Sequence, residues 1–123
     1  GYAVAELTGT WLGTYWRNEA PTRFEATLIQ SGHSLTGHIL DDGHLGEATL
    51  EGTVMGRKVH FIKTYIGSPQ LASIEYTGTL SEEEDFLRGN WTFAHTRGSG
   101  PWEARRSGEN LVASFTRQLA ASR

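Results

Sequence analysis

Apolar and polar residues alternate with a period of two along most of the chain, in short runs broken by Gly, Asp, Asn or Pro. Successive side chains of an extended strand point to opposite faces, so this pattern predicts strands buried on one face and wet on the other. The runs are Leu7–Trp16, Arg23–Gln30, Ser34–Leu40, Leu45–Val54, Lys58–Ile66, Leu71–Leu80 and Phe86–His95, with one or two more in Trp102–Arg106 and Leu111–Gln118. Between them, Asn18 to Pro21, Ser31 to His33, Asp41 to Gly43 and Met55 to Arg57 carry turn chemistry,. Gly98-Ser99-Gly100-Pro101 reads as a further turn. Only Ser81–Leu87 and the C-terminal tail have helical character, the former amounting to one turn with Ser81 and Glu84 as a capping box,.

Eight or nine sequential strands with short loops and no crossover helix predict an antiparallel meander. Closing that meander pairs every strand edge, so the expected fold is all-β, an antiparallel up-and-down eight-stranded β-barrel of streptavidin-like or lipocalin-like type. An open sandwich or a two-sheet roll satisfies the same periodicity and stays open at this point. The 15 glycines in 123 residues favour closure. They recur inside strands, as in Thr8-Gly9-Thr10, Thr36-Gly37-His38, Glu51-Gly52-Thr53 and Thr77-Gly78-Thr79, with Gly13 and Gly89 as isolated relatives. Glycine inside a strand weakens a sheet unless the chain bends sharply there, and a small barrel needs such bends.

Placing Trp11 inside assigns the faces. Leu7, Gly9, Gly13 and Tyr15 join it, followed by Phe24, Ala26 and Leu28, then Leu35, Gly37 and Ile39. The fifth run turns Val59, Phe61, Lys63 and Tyr65 inward, and the sixth Ile74, Tyr76, Gly78 and Leu80. Lys63 is the outlier, because an unpaired ammonium in a narrow interior is very costly. A candidate ligand-binding cavity is therefore lined by Tyr15, Phe61, Lys63, Tyr65, Tyr76 and Trp91, with Arg105 or Arg106 near one end. Its ammonium and hydroxyls suit a small organic anion or an amphiphile. The competing reading fills the interior with these aromatics and pairs Lys63 with Glu47, Glu75 or Glu103, leaving a structural or protein-interaction barrel without a ligand. Trp16 and Trp102 are expected as exposed aromatics near the barrel ends. Leu12, Ile29, Ile62 and Phe93 are assigned to the outer face, an apolar excess that predicts a homo-oligomer,.

Composition narrows the partners. Eleven Lys and Arg against fourteen Asp and Glu give a net charge of −3 with no basic patch, so neither nucleic acid nor a membrane surface is an expected partner,. The length suits one barrel domain over residues 1–123,. No run approaches the roughly 18 apolar residues of a membrane span, so the chain is expected to be soluble, cytoplasmic or secreted after signal removal. Absence of cysteine removes disulfides and thiolate chemistry,. The five histidines lack metal-ligand spacing, and His38, Asp41, Asp42 and His44 make only a weak divalent set across one hairpin,. No metal or other cofactor is expected. Without a nucleophile elbow, a phosphate loop or a separated carboxylate pair, a non-enzymatic role is expected ahead of catalysis.

Five phrases together resemble the avidin and streptavidin family: TGTW ending at Trp11, GRKVHFIKTY from Gly56 to Tyr65, SIEYTG from Ser73 to Gly78, GNWTF around Trp91 and SFTR from Ser114 to Arg117. The resemblance spans most of the chain and implies an eight-stranded up-and-down barrel able to oligomerise. It does not imply biotin binding. Gly13 stands where that family has a ureido-reading asparagine, Ala72 and Ile74 where it has serine and threonine, and Ala113 where it has an aspartate. Phe61, Tyr76 and Trp91 match family tryptophans and keep an aromatic wall. The Gly9-Thr10-Trp11 phrase also resembles the opening of lipocalin and fatty-acid-binding barrels, although the helix pair that covers the latter is missing.

Overall fold

The sheet closes on itself. The computed structural model describes residues 5–44, 46–68 and 73–107. Among these, eight strands follow one another: β1 (Gly9–Arg17), β2 (Ala20–Ser31), β3 (Ser34–Asp41), β4 (Glu47–Met55), β5 (Lys58–Tyr65), β6 (Ile74–Leu80), β7 (Phe86–Phe93) and β8 (Ser99–Arg106). Each pairs antiparallel with the next, and β8 returns to β1 through Trp11↔Arg106 to Tyr15↔Trp102. The fold is thus an all-β, closed, up-and-down eight-stranded barrel, and the sandwich and roll alternatives fall away. Leu111–Gln118, Leu45, Leu71 and Ala72 lie outside the described residues.

Alternation sets the faces as expected. In β2, Phe24, Ala26 and Leu28 are buried while Arg23, Glu25 and Thr27 are exposed, and the same period places Trp11, Leu35, Ile39, Val59, Phe61, Ile74, Tyr76 and Leu80 inside. Three local expectations need correction. The 81–85 segment is a turn rather than a helix: Glu84 takes a φ of 60°, and the Ser81 hydroxyl oxygen accepts from the backbone N–H of Asp85 and Phe86. The turn expected at 98–101 is shorter, since Ser99, Gly100 and Pro101 already pair with Thr92, Trp91 and Asn90 of β7. Trp102 is buried rather than exposed, because β6 and β7 make room for it.

That room comes from glycine. Gly78 and Gly89 are cross-strand partners, and a Cβ on Gly78 would lie 2.6 Å from the Trp102 ring. With the space left open, Trp102 stacks edge-on against Phe61 and Tyr76 at 5.9 and 5.5 Å and donates its indole N–H to the Thr77 carbonyl. A Cβ on Gly89 would fall 1.8 Å from the Thr77 carbonyl oxygen, so here the strands approach too closely for any side chain. Gly89→Ala is expected to cost about 1–3 kcal/mol by forcing the strands apart. Gly67→Ala, which meets open space, is expected to stay within about 0.5 kcal/mol. Urea denaturation of both variants checks this, and equal midpoints would contradict the bend.

The two ends of the barrel differ. At the end carrying the β2–β3, β4–β5 and β6–β7 turns, the Arg106 guanidinium lies 4.6 Å over the Trp11 ring and donates to the carbonyls of Glu6, Thr8 and Glu84. One side chain thereby ties the N-terminal segment and the β6–β7 turn across the opening, above fully buried Leu7, Leu35, Val54 and Leu80,. This lower end is closed. The upper end, where β1, β3, β5 and β7 finish, is where the polar interior collects.

Candidate functional site at the upper mouth

Strand phase carries four residues to one level just below the upper mouth: Tyr15 from β1, Asp41 from β3, and Lys63 and Tyr65 from β5. Lys63 has 1% of its surface exposed, and its ammonium lies 3.0 Å from each Asp41 carboxylate oxygen. Asp41 Oδ2 also accepts from the Tyr15 hydroxyl at 3.0 Å and from the Tyr65 hydroxyl at a very short contact. The rings of Tyr15, Tyr65 and Tyr76 surround the ammonium, which sits 4.7, 4.7 and 5.7 Å from their centroids. Paired bidentately and faced by three rings, the charge is met from several sides, as a buried charge must be. Among the described residues, no buried side-chain nitrogen or oxygen lacks a partner.

Burial dominates the proton affinities here. It raises all three tyrosines above the ordinary tyrosine range, with the Asp41 carboxylate adding to the effect by charge and, for Tyr15 and Tyr65, by hydrogen bonding,. For Lys63, burial pulls the ammonium below the usual lysine range while Asp41 pushes it back up. The bidentate geometry favours the charged pair at neutral pH.

Beneath this level the barrel is filled. Trp11, Phe24, Ala26, Leu28, Ile39, Leu50, Phe61, Leu87, Trp102 and Ala104 leave an internal void of only about 20 Å³, space for about one water molecule. Phe61 stacks on Tyr76 at 4.8 Å between centroids. Above it, a cup of about 510 Å³ opens to solvent, lined by Tyr15, Arg17, His44, Tyr65, Ile74, Tyr76, Trp91, Phe93, Thr96 and Arg97. Trp91 is held by donating its indole N–H to the Trp16 carbonyl at 3.1 Å. The ladder from β8 to β1 stops at Trp102 and the next residue, Pro101, has no N–H to offer that carbonyl,. Phe93 packs edge-on to Trp91 at 5.3 Å, and the Arg17 guanidinium lies 5.2 Å over Phe93.

The expected site residues separate accordingly. Tyr15, Tyr65, Tyr76 and Trp91 come together on the cup, while Phe61 and Lys63 lie below its floor. Arg105 faces outward, stacked 4.6 Å over Phe86, and Arg106 closes the opposite end. Neither arginine reaches the cup. Lys63 pairs with Asp41 rather than Glu47, Glu75 or Glu103, all on the wetter side of the wall. Phe93, assigned to the outer face, is half-buried against the core and lines the cup. Its parity with Trp91 carries that signal, as the parity of Asp41 with Leu35 and Ile39, and of Arg17 with Trp11 and Tyr15, would have found those two. No period marks His44, Thr96 or Arg97, which come from loops. Among the described residues no three His, Asp or Glu side chains gather as metal ligands, and no helix is long and apolar enough to cross a membrane. A shallower depression of about 560 Å³ on the outer wall is lined by Leu12, Leu40 and charges of both signs, including Arg23, Glu25, Glu103 and Arg105.

No protein-family model matches this chain, and no curated protein matches it. Its fold is similar to that of a redesigned β-barrel, with a TM-score of 0.66 and 15% identity over 82% of this chain and 91% of that one. It is also similar to the redesigned β-barrel mFAP0, solved bound to DFHBI, with a TM-score of 0.61 and 17% identity over 81% and 98%. A de novo designed fluorescence-activating β-barrel aligns with a TM-score of 0.56 and 13% identity over 82% and 94%. At these identities the likeness is one of fold. It supports a closed antiparallel barrel and does not extend to the avidin and streptavidin family.

Proposed function

We propose that this barrel binds a small organic anion with an aromatic body in the cup at its upper mouth. The observation that carries the reading is the lining. Tyr15, Tyr65, Tyr76, Trp91 and Phe93 wall a space of about 510 Å³ rimmed by Arg17, His44 and Arg97, with no carboxylate among the described residues that line it. Neither Arg17 nor Arg97 has a carboxylate partner among the described residues, on a chain whose net charge is −3. Concave aromatic walls with a few convergent polar groups are the usual form of a small-molecule site, and roughly 300–1,000 Å³ is its usual size. The neighbouring fold mFAP0, solved with DFHBI, supports the reading to the extent that a barrel of this fold accommodates a small organic ligand.

The filled lower barrel favours a second reading, in which the fold is a structural or protein-interaction scaffold without a ligand. Titration of the folded protein with anilinonaphthalene sulfonate, an aromatic anion whose emission rises on leaving water, separates the two. One saturable site is expected, and Phe93→Ala, at a half-buried wall position, is expected to weaken it about tenfold, the equivalent of roughly one aromatic contact. Absence of saturable binding, or binding that Phe93→Ala leaves unchanged, overturns the proposal in favour of the scaffold.

A further inference from the structure

Resting on that reading, we infer that the ligand enters hydroxyl first: the cup is built for a hydroxyaryl anion whose phenolic end meets the tyrosine floor while its carboxylate or sulfonate stays at the arginine rim. The inference follows from proton accounting on the floor. A tyrosine hydroxyl has one proton to donate and lone pairs to accept with. Tyr15 and Tyr65 lie 3.4 Å apart at their hydroxyls and both direct that proton to Asp41 Oδ2; with both protons on the carboxylate, each can only accept toward the cup. Tyr76 differs. The residue is 2% exposed, yet its hydroxyl has no protein partner among the described residues and is not a fully buried unsatisfied atom. Tyr76 lines both the cup and the void of about 20 Å³ beneath it; since that void holds no more than about one water, the cup is the space from which a ligand can reach this free O–H.

A group that both donates to Tyr15 or Tyr65 and accepts from Tyr76 completes this set, and a phenolic hydroxyl does both with one atom. A carboxylate does not. It would accept from Tyr76 but turn its negative charge toward the lone pairs of Tyr15 and Tyr65 and toward Asp41 behind them. Lys63 offers it no relief, since its ammonium is closed off at 1% exposure and committed to both Asp41 oxygens. The anionic end is instead met at the rim, where the Arg17 guanidinium is held over Phe93 and Arg97 has no acidic partner among the described residues. The buried pair thus sets ligand polarity without touching the ligand: it consumes the tyrosine protons and leaves the floor an acceptor.

A rigid series tests this: a biphenyl carboxylate with a para-hydroxyl at the end opposite the carboxylate, its methoxy and unsubstituted analogues, and the carboxamide of the hydroxy compound. Binding is measured by calorimetry to the wild type, Tyr76→Phe and the Arg17→Gln/Arg97→Gln double variant. The hydroxy acid is expected to bind at least tenfold tighter than the methoxy analogue, which cannot donate. Tyr76→Phe, which removes a hydroxyl with no bond inside the protein, is expected to weaken the hydroxy acid about tenfold while leaving the unsubstituted acid nearly unchanged. The carboxamide is expected to bind at least fivefold more weakly than the acid, and the double arginine variant is expected to erase that gap. Equal affinity across hydroxyl, methoxy and hydrogen overturns the hydroxyl-first orientation while leaving a binding barrel in place. Failure of the whole series together with failure of anilinonaphthalene sulfonate removes both.

Discussion

Replacing Asp41 by alanine is expected to destabilise the barrel by about 3–5 kcal/mol, the cost of leaving a buried charge without its partner. Lys63 has 1% exposure, and the carboxylate is its one anionic contact among the described residues. The substitution also leaves the Tyr15 and Tyr65 hydroxyls without their acceptor. Lys63→Met is expected to cost less, because two tyrosine hydroxyls still donate to Asp41 once the ammonium is gone. Removing both charges as Asp41→Leu/Lys63→Met is expected to recover most of the loss, since well-packed apolar residues often match or exceed a buried ion pair. Urea denaturation of these variants and of the single Asp41→Leu closes a double-mutant cycle whose coupling isolates the pair. An Asp41→Ala effect below about 1 kcal/mol would show that the lysine reaches water by another route, and would withdraw the account of the floor.

Alkaline pH is expected to unfold the protein steeply above about pH 10. Unfolded tyrosine ionises near 10.0, while in the fold burial and then the Asp41 carboxylate raise Tyr65 and Tyr76 well above that value. Between the unfolded and folded values the native chain holds protons that the unfolded chain has released. Stability is therefore fully present below about pH 10 and falls as pH rises beyond it. One such group contributes a slope of about 1.4 kcal/mol per pH unit, so Tyr65 and Tyr76 together approach about 3 kcal/mol per unit. Tyr15, raised for the same reasons but half-buried, adds less because water screens it. Lys63 has the opposite sign: lowered in the fold by burial, it makes stability rise with pH up to its unfolded value near 10.5, offsetting part of the loss over that narrow window. Denaturant melts at stepped pH, read beside tyrosinate absorbance of the native protein, measure both effects. At about pH 11, absorbance from the native state is expected to account for fewer than half of the four tyrosines, the remainder appearing only on unfolding. Early release of all four would show the floor to be open to water.

Much of this barrel is legible before folding because the pleat is local. A period of two needs no knowledge of partners, so Trp11, Phe61 and Tyr76 could be placed inside from their own strands, and the strand glycines could be read as bends. Lys63 stood out on the same ground. Its partner did not, because Asp41 stands beside Asp42 and Gly43 in a run with turn composition, and that composition masked its parity with Ile39. Trp102 departs from its expected exposure for a related reason: its burial depends on the paired Gly78 and Gly89, and Gly78 lies on β6, which does not adjoin β8 in the sequence.

What the chain alone determined is therefore which residues alternate inward, where it bends, and that one cation would need an answer inside. The tertiary structure decided that the answer is Asp41, that the lower barrel is filled, and that, among the described residues, five aromatic side chains wall one open cup at the upper mouth. The physical reason is closure. A strand's own pleat sets its faces, but which levels meet across the interior follows from the register of eight successive pairings, and a loop such as the one bearing Thr96 and Arg97 joins the rim only after the last pairing, β8 with β1, is made.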